Sequence, residues 1–136
     1  MSGTNVTVTE EGGRRFAQLI TAGQHVLVAD EAAAAGGDDA GPSPADLLLA
    51  SLGACAAITL RMYAERHGWA LGHLVVELSW LPQGGIRRDI HFGGALADEQ
   101  KTRLLGIARR CPISRLLQTG AVVDAAPAGA QQHNGA

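Results

Sequence analysis

Aromatic residues are scarce in this chain, at 4% of 136 positions. An aromatic-poor core packs aliphatic side chains, which suits closely apposed helices and sheets. Charge of one sign is also missing: 11 Lys and Arg stand against 13 Asp and Glu. No basic stripe interleaved with aromatics is present, so nucleic-acid binding is disfavoured. Cysteine is limited to two residues. The first residues, Met1 to Asn5, lack a basic segment followed by an apolar one, the form of a secretory signal. The longest apolar run, Leu47 to Leu60, is about one-third shorter than the ~20 residues that cross a bilayer. A cytoplasmic protein with no membrane partner is therefore expected. In a reducing compartment two cysteines serve more often as a redox pair than as a structural disulfide, although free cysteine is also a common core residue.

Nearly half of the residues are apolar, at 46%, and the length fits one domain. Val6 and Val8 alternate with Asn5, Thr7 and Thr9, the period of a half-buried strand. Gly12-Gly13 and Ala22-Gly23 mark turns, so strands over Arg15–Thr21 and Gln24–Ala29 complete an antiparallel meander. Glu31 to Pro42 reads as a flexible loop of Ala, Gly and Asp. Loops of this length in a small domain are often functional.

A long helix is predicted from Ser43. Ser43-Pro44-Ala45-Asp46 has the form of a capping box with proline at the first helical position, and Gly68 is a natural stop after His67. Its first four turns are apolar on all sides, so the end carrying Cys55 belongs in a core or an interface. Strands follow over Leu74–Leu81 and Ile86–Phe92, separated by the Pro82–Gly85 turn. Helices are expected over Ala97–Arg110 and from Pro112 to Leu117, and a last strand over Ala121–Val123. Strands, long helix, strands, helices and strand make an α+β domain. It spans residues 1–124, and 125–136 is expected to be a disordered tail.

The two cysteines differ in setting. Cys55, about three turns into an apolar helix, would be hard to ionise unless a cation reached it. Cys111 opens a short helix just after Arg109 and Arg110, features that lower a thiol pKa. Residue physics alone thus ranks Cys111 as the better thiolate, with core filler as the bland reading of each. The five histidines, among them His25, show no metal-ligand spacing, and neither a metal nor a cofactor is implied. The glycine turns lack a phosphate-loop context, and no serine sits in a nucleophile elbow.

The stretch Gly41-Pro42-Ser43-Pro44-Ala45-Asp46-Leu47-Leu48-Leu49-Ala50-Ser51-Leu52-Gly53-Ala54-Cys55, with Ile58 to Ala64 after it, resembles the central helix of the OsmC/Ohr family. Arg109-Arg110-Cys111-Pro112-Ile113-Ser114 is similar to that family's Cys-Pro motif. The resemblance covers about residues 5 to 124. It implies an antiparallel sheet packed against a long buried central helix, in an intertwined homodimer with its sites at the interface. It implies a thiol-dependent peroxidase that reduces organic hydroperoxides. Cys55 would be the peroxidatic thiol and Cys111 the resolving one, with a dithiol reductant, often a lipoyl protein, to reopen the disulfide. The family places an arginine of a Gly-Gly-Arg stretch near the peroxidatic sulfur. Gly12-Gly13-Arg14 matches, which makes Arg14 the candidate and Arg15 the fallback.

One position departs from the pattern. The glutamate expected after Pro44 is Ala45 here, and Asp46 comes one residue later, about 100° around the helix. Asp46 either replaces that glutamate or, as its first reading, caps the helix. Weak peroxidase activity is then expected. The alternative is a non-catalytic dimeric domain that holds a small apolar ligand beside Cys55.

Overall fold

A computed structural model describes residue 3 and residues 5–129. Most of the expected tail therefore lies outside the described residues; the part that is described, 125–129, is exposed.

Three strands, β1 (Val6–Glu10), β2 (Gln18–Ala22) and β3 (His25–Ala29), form the antiparallel meander. β2 begins later than expected. β1 ends at Glu10, opposite Gln18, so no ladder exists for the residues before it. Arg15 instead lies over the Phe16 ring, 4.7 Å from its centroid.

The segment after β3 is not the loose loop that its composition suggested. Asp30 is buried, and its carboxylate accepts N–H groups from Glu31 (2.7 Å), Asp38 (3.2 Å) and Ala40 (3.1 Å). A short 3₁₀ turn, Ala33–Ala35, fits inside this wrap. A single carboxylate thus organises a stretch that has almost no side chains to pack.

α1 (Pro44–His67) starts where its cap requires. Ser43 Oγ accepts from the Asp46 N–H at 3.1 Å, and Gly68 closes the helix in the left-handed conformation. Over its full length α1 is long and apolar enough to cross a membrane by length and composition, more so than the Leu47–Leu60 run suggested. Within the single chain only part of it is buried. Leu49, Leu52, Gly53, Ala56, Leu60 and Ala64 form one buried stripe at helical spacing. The expectation of burial on all sides fails for the single chain: Leu48, Ile58 and Met62 on other faces are exposed.

β4 (Leu74–Trp80) and β5 (Ile86–Phe92) form a separate antiparallel hairpin, and β4 packs on α1. Gly53 permits the close approach: a Cβ there would lie 2.6 Å from Leu78 Cδ1. α2 (Asp98–Ala108) and α3 (Pro112–Thr119) pack on α1 as well. Leu60, Ala64, Leu71, Leu104 and Ala108 make the larger core, and Leu52, Ala56 and Cys111 the smaller one. The strand expected over Ala121–Val123 does not form. Val122 and Val123 are almost fully exposed, and an isolated segment without a neighbouring strand has no ladder to join.

Candidate functional site

The smaller core is where the two cysteines meet. The α1 stripe buries Ala56, which leaves Cys55 at its edge, half-buried. Cys111 is the residue that precedes α3, and it is fully buried. Leu78, Ile86 and Ile113 close around the pair. Both thiols are free, and Cys55 packs against the cluster that holds Cys111.

Burial holds the Cys111 thiol above its ordinary pKa, and the contact with Cys55 adds to this. The Ser114 N–H at the start of α3 and the charge of Arg88 pull the other way and are outweighed. The ranking drawn from residue physics is therefore overturned: Cys111 is the deeply buried, protonated partner. Arg109 and Arg110 are adjacent in sequence but exposed, and Arg110 Nε turns back to the Gly106 carbonyl at 3.5 Å. A helix end fixes which way its side chains leave, and these two leave toward water.

An open cleft of about 550 Å³ adjoins the pair. Leu48, Leu52, Trp80, Ile86 and Leu117 give it apolar walls, and Arg88, Ser114 and Gln118 are its polar groups. Leu52 and Ile86 belong both to this cleft and to the packing around the cysteines.

The other sequence candidates lie as follows. Arg14 is exposed, with its Nε 3.6 Å from Glu11 Oε1, and its charge helps lower the Asp30 pKa. Arg15 lies on Phe16. Asp46 is exposed in the first turn of α1, where its backbone N–H meets the Ser43 cap. Arg14 and Arg15 thus lie between β1 and β2, and Asp46 in the first turn of α1. Among the described residues no group of three His, Cys, Asp or Glu comes together in a way that could hold a metal ion. Sequence reasoning missed Arg88. The signal was there: the Ile86–Ile90–Phe92 alternation puts position 88 on the inward face of β5.

A family model described as OsmC-like protein matches residues 36–126, about two-thirds of the chain and the whole of the cysteine site. The chain belongs to the OsmC-like protein family. Its fold is that of solved OsmC-like structures. A Psychrobacter arcticus protein described in terms of osmotic stress and detoxification superposes with a TM-score of 0.72 at 20% identity, over 85% of this chain and 88% of the other. An OsmC-like protein of Mycoplasma pneumoniae gives 0.69 at 17% identity, over 86% and 88%. An organic hydroperoxide resistance protein, OsmC, of Legionella pneumophila gives 0.58 at 23% identity, over 87% and 90%. No curated protein sequence matches the chain. At these identities the likeness fixes the OsmC fold, and the chemistry has to be argued from this chain's own residues.

Proposed function

We propose that this OsmC-like protein is a thiol-dependent peroxidase that reduces organic hydroperoxides. The observation that carries the reading is the meeting of two free thiols, one half-buried and one buried, beside a cleft with apolar walls. The less buried sulfur, Cys55, attacks the O–O bond as a thiolate. It becomes a sulfenic acid, and the alkoxide leaves and takes a proton to give the alcohol. The Cys111 thiol then condenses with the sulfenic acid, releasing water and forming the disulfide. An external dithiol, by resemblance a lipoyl protein, restores both thiols by exchange. The packing of Cys55 against the cluster that holds Cys111 supports this division of roles, because the resolving sulfur lies near the one that is oxidised.

The apolar walls of the cleft suit the hydrocarbon part of an alkyl or aryl hydroperoxide. By resemblance Arg14, together with Asp46, would serve the reacting sulfur. A homodimer belongs to the same proposal. Val8, Ile20 and Leu27 stand side by side across the meander, and Val8 and Leu27 are exposed, as are Ile58 and Met62 on α1. A second copy is the natural cover for such rows. Free thiols also fit a reducing, cytoplasmic setting.

The purified protein, given cumene hydroperoxide and dihydrolipoamide, is expected to consume the peroxide. Cys55→Ser should abolish the activity. Cys111→Ser should leave a trapped Cys55 sulfenic acid that a dimedone-type probe labels. Full turnover in Cys55→Ser would refute the assignment. The second reading is a non-catalytic apolar-ligand domain, and Ala45 favours it because it leaves the site without the family's glutamate. It predicts tight binding of an apolar ligand and no dimedone labelling after peroxide.

A further inference from the structure

A thiolate beside nonpolar side chains needs a cation, and among the described residues of the single chain Arg88 is the guanidinium whose charge reaches this pair. Side chains alternate in direction along β5. Arg87 and Asp89 lie on the outer face, where Arg87 Nε meets Asp89 Oδ2 at 3.0 Å and the Arg87 side chain is largely exposed. Ile86, Arg88 and Ile90 lie on the other face, toward α1. Ile86 packs against the cysteines, and Arg88 is paired across the hairpin with Leu78, which packs against them too. Neighbours across an antiparallel pair share a face, so Arg88 is aimed at the same site. It lines the cleft together with Leu52 and Ser114. Its Nη1 is buried and, among the described residues, has no hydrogen-bond partner.

A buried guanidinium nitrogen without a partner is costly unless something completes it. Among the described residues no carboxylate does so: Asp89 is engaged with Arg87, and Glu77 with His91 on the exposed side of the hairpin. We propose that Arg88 is the cation of the Cys55–Cys111 pair, a charge-stabilising residue for whichever sulfur carries the negative charge. Around Cys111 stand Cys55 from α1, the Ser114 N–H from α3 and Arg88 from β5, and among these Arg88 is the cation. This explains how a thiolate can persist at a site that lacks the Glu expected at position 45. There the positive charge is held by a strand rather than by an arginine–glutamate pair. The inference rests on the redox reading of the pair and deepens it.

The test measures ionisation without peroxide, so it is independent of turnover. The unmutated protein, Arg88→Met, Arg88→Lys, Arg14→Met and, as the exposed control, Arg87→Met are alkylated with iodoacetamide over about pH 5 to 10, and mass spectrometry resolves each cysteine. Arg88→Met is expected to move the thiolate curve of the pair up by about one pH unit, an about tenfold loss of alkylation rate on its rising limb. Arg88→Lys should recover part of it, and Arg87→Met none of it. An unchanged curve in folded Arg88→Met, or a shift confined to Arg14→Met, overturns the assignment. Should Arg88→Met fail to fold, the unmutated protein decides. The Arg88 Nε–H resonance should follow the thiol titration, and a resonance that stays flat through it refutes the proposal. Peroxide turnover with no alkylation effect would sink Arg88 and spare the peroxidase. An alkylation effect without turnover would do the reverse.

Discussion

The body built on α1 and the N-terminal meander use much the same aliphatic residues and treat them in opposite ways. In the body, Leu60, Leu71 and Leu104 are wholly buried against one another. In the meander, Val6, Val8, Val26 and Leu27 are each more than half exposed, although their strands are fully paired. Backbone pairing therefore does not guarantee a core. A strand needs a face to pack on, and within one chain the α1–hairpin–α2–α3 assembly consumes its own. The body holds its shape by apolar burial, which scales with area removed from water. The meander holds by its ladder, and the buried Asp30 ties down the segment that follows it.

The sharpest way to break this contrast is to truncate one leucine on each side. Leu60→Ala should cost about 2–5 kcal/mol, since it removes a fully buried side chain and leaves a cavity. Leu27→Ala should stay within about 0.5 kcal/mol for the isolated chain. Its effect should surface instead as weaker self-association. Urea unfolding at low and high protein concentration, with sedimentation velocity beside it, separates the two. Equal and concentration-independent losses for both variants would show that the meander already has its cover within the chain.

Much of the body was legible in the sequence, because local rules and packing agree there. The Ser43 cap, the Gly68 stop and the β4–β5 alternation all point one way, and the two cysteines could be paired through the family motifs. What escaped was set by contacts distant in sequence. Cys111 looked activated by Arg109 and Arg110, yet the geometry of the α2 end sends both away. The segment 31–42 looked loose because its order comes from a carboxylate, and composition does not show where backbone amides converge. A strand at Ala121–Val123 satisfied propensity but had no edge to pair with. Arg88 was overlooked because a charged residue in an alternating strand is usually read as outward-facing. Its neighbour Arg87 does face outward, and the two-residue period then requires position 88 to face in.

A second, smaller effect sharpens the comparison through glycine. Gly53→Ala places a methyl 2.6 Å from Leu78 Cδ1, so the hairpin side chain beside the cysteines must give way. Overpacking of this kind costs about 1–3 kcal/mol, partly offset by the gain of about 0.5–1 kcal/mol from replacing glycine inside a helix. A net loss of about 1 kcal/mol is expected, with altered Cys55 alkylation. In the meander, Gly12→Ala meets open space and should cost nothing measurable. A Gly53→Ala protein as stable as the parent, with unchanged thiol reactivity, would mean that the helix–hairpin approach does not hold the cysteine pair in position.

The smallest effect near neutral pH belongs to Asp30, and it tests the meander on its own terms. The Ala40 N–H above all, then those of Glu31 and Asp38 with the charge of Arg14, hold this carboxyl below its ordinary value, while burial opposes them. A depressed folded-state pKa contributes stability that is present in full above the unfolded value, about 3.9 for aspartate. That contribution is lost as pH falls through the lower folded value. The parent should therefore lose stability below about pH 4, with the amides of Glu31, Asp38 and Ala40 losing hydrogen-exchange protection first. Asp30→Asn keeps one acceptor oxygen and no charge, so its stability should be lower at neutral pH and flatter over the acid range. The exchange of amides in α1 and α2 should be untouched, because the body does not lean on this carboxylate. If Asp30→Asn instead loosened α1 and α2 as much as 31–42, the two regions would be a single cooperative unit, and the exposed rows of the meander would need an explanation other than an absent partner.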